Sequence, residues 1–212
     1  MRVLVTGSSS GIGRAICLKF LQNNFEVIGF DIEESTINHK NYMHYNQDIC
    51  GDLPDLQELD IIINNAGIQE GNVIDVNLKG TINVTEKYIT PNIKSIVFIA
   101  SSSATTGSEF PEYAASKGGM IAYMKNVALR ISEYGATANS ISPGGVITKL
   151  NEHILNNENL YKQVLNETLL NKWATPEEIA EFVYFVSVIN KSMTGEDIFI
   201  DNGEKLKSNF IW

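Results

Sequence analysis

Tyr113 and Lys117 stand four positions apart in the segment Tyr113-Ala114-Ala115-Ser116-Lys117, where a helical pattern begins. Residues i and i+4 share one helix face a turn apart, so a phenol and an ammonium can meet in one site. A phenol titrates near pH ~10 and handles protons poorly at neutrality. A neighbouring cation favours the phenolate and moves the group toward useful proton transfer. Ser101 joins these two as a hydroxyl at the end of an apolar run. By itself a Tyr/Lys pair at this spacing is common by chance; its weight comes from what precedes it.

What precedes it is Thr6-Gly7-Ser8-Ser9-Ser10-Gly11-Ile12-Gly13, set between a strand-like and a helix-like segment. Glycines there let the backbone turn tightly and approach a pyrophosphate at a helix N-terminus, where unpaired N–H groups and the helix dipole favour anions. Asp31 closes the next strand-like run, at the position where an acid bonds the adenosine ribose hydroxyls of a dinucleotide. The same carboxylate repels a 2′-phosphate, and neither Ser10 nor Ile32 offers a cation to offset it. The expected cofactor is NAD rather than NADP.

These residues need a scaffold. Runs rich in β-branched and apolar residues recur at Arg2–Thr6, Phe25–Asp31, Asp60–Asn64, Ile93–Ser101, Thr137–Ser142 and Asp197–Asp201, with Tyr42–Asn46 a weaker strand candidate. Several are continuously apolar, as in strands covered on both faces by helices. Helical stripes lie between them: Ile12, Ala15, Ile16 and Phe20; Ile74, Asn77, Thr81, Val84 and Tyr88; Ile121, Met124, Ala128 and Ile131. Thr175-Pro176-Glu177-Glu178 carries the signature of a capping box with proline at the first helical position. Strand and helix alternate throughout, which predicts an α/β fold: a Rossmann-like, doubly wound parallel sheet of about seven strands. The 212 residues show no repeat or linker, so one domain over 1–212 is expected.

Composition narrows the partners. Sixteen Lys and Arg against 25 Asp and Glu leave a net charge of −9, which argues against nucleic acid or an anionic membrane. No run reaches the ~18 apolar residues of a membrane span. The N-terminal apolar run reads as a strand rather than a signal peptide. Only two cysteines occur, Cys17 and Cys50, which fits a reducing cytoplasm.

Taken together, the motifs resemble the short-chain dehydrogenase/reductase family nearly end to end. The glycine loop is Thr6–Gly13. Asp48, followed by Ile49, matches the acid that often bonds the adenine amino group. Asn64-Asn65-Ala66-Gly67 matches the segment after the fourth strand, and Asn77 the mid-helix asparagine. Ser101, Tyr113 and Lys117 match the catalytic serine and the Tyr/Lys pair. Pro143, Gly144 and Thr148 match a further loop, and Thr194-Gly195 with Asp201-Asn202-Gly203 the last strand and its ending. The resemblance implies an oxidoreductase that interconverts a secondary alcohol and a ketone. Tyr113 would exchange the carbinol proton and Ser101 bond the substrate oxygen. Lys117 would hold the nicotinamide ribose and tune Tyr113, and Asn77 would position a water. The Val146 backbone and Thr148 would grip the carboxamide. Gly7, Ser9, Gly11, Ile12, Gly13, Asp31, Asp48, Ile49, Asn65, Ala66 and Gly67 complete the implied cofactor contacts. For Asn77 a structural amide tying two elements together is the alternative, since it lies on an apolar stripe where an unpartnered amide is unfavourable.

The chain departs from the pattern in three places. Asp48 to Asn64 leaves 15 residues between strands, so any helix there is short, at Leu53–Glu58. Gly67 to Asn77 leaves nine, which trims the pocket rim or adenine side. Ser101 precedes Tyr113 by 12 positions, one fewer than is common in the family. Ser102 therefore competes for the serine role, with Ser101 preferred because it directly follows Ile96–Ala100.

His39, His44 and His153 lack metal spacing and sit in polar stretches, so no metal is expected and surface histidines are the reading. Cys17 should pack within its helix. Asn151–Asn159 falls at the family's substrate lid, or is a plain surface helix. Met120, Ile121, Tyr123, Met124, Val127 and Leu129 do not fit one stripe of the Tyr113–Ile131 helix, which implies a second buried face and a homodimer or homotetramer. The pocket candidates Ser103–Phe110, Gly145 and Leu150–Leu160 carry few charges, among them Glu109, Glu152 and Glu158, with Lys149 and Lys162 near. A 3-oxoacyl-carrier-type reductase and a non-catalytic NAD-binding partner protein stand as alternatives. A nucleotide-sugar lyase or epimerase would need a larger substrate domain.

Overall fold

The computed structural model describes residues 1–108 and 110–207. Glu109, named above beside the pocket, and residues 208–212 lie outside the described residues. Seven strands form one sheet: β1 (Arg2–Thr6), β2 (Glu26–Asp31), β3 (Tyr42–Asn46), β4 (Ile61–Asn64), β5 (Ser95–Ile99), β6 (Thr137–Pro143) and β7 (Asp197–Ile200). All pairings are parallel, in the order β3-β2-β1-β4-β5-β6-β7. The order reverses between β1 and β4, which is where an open sheet leaves a crevice for a ligand at the strands' C-terminal ends.

Continuous apolar strands arise because the sheet is covered on both sides. Val3, Val5, Ile61, Ile63, Val97 and Ile99 enter one core, with α1 (Gly11–Gln22) and α7 (Pro176–Tyr184) packed over it. Their neighbours Leu4, Ile62, Ile96 and Phe98 enter the other, under α2 (Thr81–Tyr88) and α4 (Pro111–Ile131). Short helices α3 (Ser103–Thr106), α5 (Glu152–Leu155) and α6 (Glu158–Leu165) complete the set, with Ile154 of α5 lining the crevice. The capping box that opens α7 is formed: Glu178 N donates to Thr175 Oγ1, and Thr175 N donates to Glu178 Oε2.

Three expectations need correction. Strand and helix do not alternate throughout, because neither crossover on the β3 side contains a helix, and none forms at Leu53–Glu58. Those residues form no regular secondary structure. Leu53 and Leu56 pack against the α2/α4 core, and Leu59 is buried in it. Tyr88 Oη donates to Pro54 O at 2.6 Å, Lys87 pairs with Asp55, and Asn83 Nδ2 donates to the carbonyls of Ile49 and Gly51. Side chains of α2 thus satisfy the carbonyl of Pro54 and those of Ile49 and Gly51 just before the segment, which holds it in place without a helix.

Second, the apolar faces of α4 are largely accounted for within the chain. Met120, Met124 and Val127 are fully buried, Ile121 and Tyr123 pack partly against the same core, and only Leu129, at 77% exposure, stands out in solvent. Part of the second stripe is covered by the helical stretch Ile74–Gly80 that leads into α2, with Leu78 set against Gly119. Tyr123 Oη and the guanidinium of Arg130 both donate to Glu86 on α2. Third, His44 is not a plain surface residue: it is half-buried on β3, stacks on Tyr42, and lies 3.4 Å from the Tyr42 hydroxyl through Nδ1. Cys17 packs as expected, fully buried, and burial pushes its thiol far up. No helix among the described residues is long and apolar enough to cross a membrane.

Candidate active site

The crevice at the strand-order reversal is a cavity of about 770 Å³. At one end stands the glycine loop. Gly7 and Gly11 adopt positive φ, which non-glycine residues resist. At Gly13 a Cβ would lie 1.9 Å from the Gly7 carbonyl oxygen, so only glycine lets α1 start this close to β1. Asn65, just past β4, clamps the loop: its Nδ2 donates to the carbonyls of Thr6 and Gly7, while Thr6 Oγ1 accepts from the N–H groups of Asn65 and Ala66. Ser10 caps α1 without a side-chain hydrogen bond, and the first turn carries no acid. The first N–H groups of α1 are therefore left for an anion, and the residues present fit a pyrophosphate.

Asp31 is tied to this loop. One carboxylate oxygen accepts from Ser9 N at 2.9 Å, the other from Glu33 N at 3.0 Å. Each oxygen keeps a lone pair for a diol. Asp31, Asp48 and Ile49 line the cavity together, on the side where the shortened crossover passes. Asp48 Oδ1 also accepts from Cys50 N, and the Cys50 thiol is held up by its partial burial and by the Asp48 charge.

At the other end Ser101, Tyr113 and Lys117 line the same cavity. Lys117 is 3% exposed; its Nζ donates to the carbonyl of Ile99 at 2.8 Å and lies 5.7 Å from the centre of the Tyr113 ring. Gly67 passes closely enough that a Cβ there would meet Asn77 Oδ1 at 3.2 Å and Lys117 Nζ at 3.4 Å. Asn77 is fully buried in a π-helical stretch, Ile74–Gly80, which runs into α2. Its Oδ1 accepts from Ile68 N, and its Nδ2 donates to Ile68 O and to Ser116 Oγ. The Asn77 side chain thus ties the 65–68 loop to α4, as the structural alternative described. Wide turns of this kind occur often at functional sites.

Between the two serines the geometry discriminates. Ser101 lines the cavity, whereas Ser102 does not: its N–H is bonded to Pro143 O and its carbonyl accepts from Thr106 Oγ1. Ser103, which the motif reading passed over except as lining, donates its hydroxyl to Ser101 Oγ at 2.9 Å, and its N–H points to the same oxygen at 3.2 Å. With two donors on its oxygen, Ser101 has its own hydrogen left to give. Pro143, Gly144, Val146 and Thr148 complete the wall, Thr148 against Gly11. Trp173 and Gln69 also line it, and neither belongs to a motif; the only cue in the chain was the position of Trp173 two residues before the capping box. A smaller cavity of about 450 Å³ adjoins, walled by Ile68, Phe110, Leu150 and His153 among others. Among the described residues no cluster of His, Cys, Asp and Glu could hold a metal.

A family model described as enoyl-(acyl carrier protein) reductase matches residues 53–205. A 3-oxoacyl-[acyl-carrier-protein] reductase of Buchnera aphidicola is 30% identical over 233 residues, an alignment covering 94% of this chain and 95% of the relative. That alignment exceeds the 212 residues of this chain, consistent with shortened crossovers here. Among solved structures, a short chain dehydrogenase family protein of Francisella tularensis superimposes with a TM-score of 0.86 at 29% identity, covering 97% of this chain and 99% of that one. A 4-hydroxyisoleucine dehydrogenase complexed with NADH superimposes with a TM-score of 0.88 at 28% identity, covering 98% and 99%.

Proposed function

The chain belongs to the short-chain dehydrogenase/reductase family, and on that footing we propose that it interconverts a secondary alcohol and a ketone, with NAD preferred to NADP. The observation that carries this reading is one cavity holding two half-sites. The glycine loop with Asp31 lies at one end; Ser101, Tyr113 and Lys117 lie at the other. A bound nicotinamide supplies or accepts the hydride. In the reducing direction Tyr113 gives its hydroxyl proton to the carbonyl oxygen. Ser101, oriented by Ser103, donates a hydrogen bond to that oxygen as it gains charge. Lys117, anchored on Ile99 O, stabilises the phenolate left on Tyr113 and holds the ribose. In oxidation the same phenolate takes the proton back. Asn77 holds the loop that passes Lys117 and positions the water that returns the proton to solvent. Residues 1–212 act as one dinucleotide-binding domain with the catalytic groups built in.

Two features support NAD. Asp31 sits on the ribose side of the cavity with neither Ser10 nor Ile32 able to offset a phosphate, and the NADH-complexed relative lies at 28% identity. A titration of NADH against NADPH tests this; tighter binding of NADPH by the wild type overturns it. Asp31→Ala should narrow the gap between the two cofactors. A second reading, reduction of a 3-oxoacyl group on a carrier, is favoured by the Buchnera relative at 30% identity. A substrate panel followed by nicotinamide absorbance separates them: free ketones alone in the first case, carrier-borne acyl groups far better in the second. The net charge of −9 fits an enzyme of small molecules better than a partner of nucleic acid or an anionic membrane, and the cytoplasm is the proposed location.

A further inference from the structure

Trp173 is 8% exposed and lines the main cavity. A buried indole N–H ordinarily finds an acceptor. Among the described residues the Trp173 Nε1–H finds none. The polar side-chain atoms sealed from solvent without a partner are His44 Nε2, Asn64 Oδ1, Thr90 Oγ1 and Asn202 Nδ2. The indole nitrogen is not among these atoms of the described residues, so solvent reaches it, beside Gly145, which lines the same cavity.

The ring is held firmly. Ala174 N donates to Gly145 O at 3.0 Å and Ile147 N to Ala174 O at 2.9 Å, so residue 173 is fixed beside the 145–147 strip. A Cβ on Gly145 would stand 2.1 Å from Nε1 and 2.5 Å from Cδ1, so glycine is what admits the pyrrole edge there. Tyr161 of α6 meets the indole edge to face at 5.7 Å. The neighbouring wall is apolar, with Leu150 and Ile154 lining the same cavity.

We propose that Trp173 is a specificity-determining residue whose indole N–H receives a second hydrogen-bond acceptor on the substrate, beside the reacting oxygen. The substrate class is then a ketone or secondary alcohol that carries a further carbonyl-type acceptor on a largely apolar body. This rests on the oxidoreductase reading above. The interaction is one neutral hydrogen bond, so its loss should reduce selectivity by roughly tenfold.

The probes are ethyl acetoacetate and methyl pentyl ketone, which share a chain length and differ in the ester group. The wild type with NADH should prefer the keto ester in kcat/KM, partly because the ester activates the ketone and by roughly tenfold more because of the hydrogen bond. Trp173→Phe keeps an aromatic wall and removes the donor, so the ratio should fall by roughly tenfold from its wild-type value while the NADH dissociation constant holds. Gly145→Ala, which drives the indole from its place, should collapse the ratio too and guards against a folding fault in the first variant. The inference is overturned if both compounds lose equally, if the ratio in Trp173→Phe stays at its wild-type value, or if that variant loses NADH affinity instead. If NADH binds the wild type but neither compound is reduced, this inference fails and the oxidoreductase reading stands. If NADH does not bind, that reading has failed and takes the inference with it.

Discussion

The hydroxyl of Tyr113 is the group on which the proposed chemistry depends most. Removing it in Tyr113→Phe leaves the ring, the helix and the cofactor half-site in place. Turnover should fall by roughly 10² to 10⁴, the range for loss of a general acid or base, with NADH binding retained. A Phe variant with near-wild-type turnover would refute the assignment. The direction of pH dependence follows from the same proton. Oxidation needs the phenolate and should rise with pH; reduction needs the phenol and should fall, and initial rates in both directions check the sign. Ser103 makes a finer test. Its hydroxyl donates to Ser101 Oγ, so Ser103→Ala should lower kcat by roughly tenfold, as one orienting hydrogen bond suggests, with less effect on cofactor affinity.

At the scale of elements, α2 and α4 are clasped on the surface by Glu86, which accepts from Tyr123 and from both arms of Arg130. The Arg130 guanidinium holds the Glu86 carboxyl below its ordinary range, opposed by partial burial. A lowered carboxyl contributes stability above its unfolded pKa of ~4.3, lost as pH falls through the folded value. Burial and the Glu86 charge push the Tyr123 phenol up. That contribution is present below the unfolded phenol value of ~10 and is lost as pH rises through the folded one. The clasp therefore weakens at both extremes. Because Glu86 and Arg130 are each more than 40% exposed, Glu86→Gln should cost no more than about 0.5 kcal/mol near neutrality, by urea melts.

The helix α4 allows a sharper contrast. Met124 is fully buried against the sheet, so Met124→Glu places a carboxylate in the core and should destabilise the fold by about 4 kcal/mol or more. Leu129 is 77% exposed, and Leu129→Glu should leave the melting temperature nearly unchanged.

For the molecule as a whole, that contrast bears on assembly. With most of the second apolar stripe covered inside the chain, the case for a symmetric partner on α4 rests on Leu129. Large side chains also stand out on α7 and the helical turn after it: Phe182, Phe185 and Ile189 are 46–57% exposed. Contiguous exposed apolar groups of this kind mark contact surfaces. We propose a homodimer or homotetramer at micromolar concentration, measured by sedimentation. A monomer there would refute it, and an oligomer unaffected by Leu129→Glu would place the contact away from α4.

The sequence by itself determined the parallel sheet and the makeup of the candidate site. Continuous runs such as Ile61–Ile63 can only be buried on both faces, and the glycine loop, Asp31 and the Tyr/Lys spacing are local patterns set by backbone geometry. Every strand was legible, β3 included, with no bound shifted by more than two residues. What only the tertiary structure decided depends on contacts between distant segments. Leu53–Glu58 carries apolar residues compatible with a short helix, but Tyr88 of α2 takes the Pro54 carbonyl and Lys87 the Asp55 carboxylate, and the segment forms no helix. Met124 and Leu129 both break a single stripe, and which one faces the core depends on how α4 rolls between the sheet and α2. The preference for Ser101 over Ser102 as the proposed serine rests on which residue lines the cavity, and the roles suggested for Ser103 and Trp173 on hydrogen bonds made or left unmade across the fold. Periodicity records which faces are apolar; it does not record which distant segment meets each face.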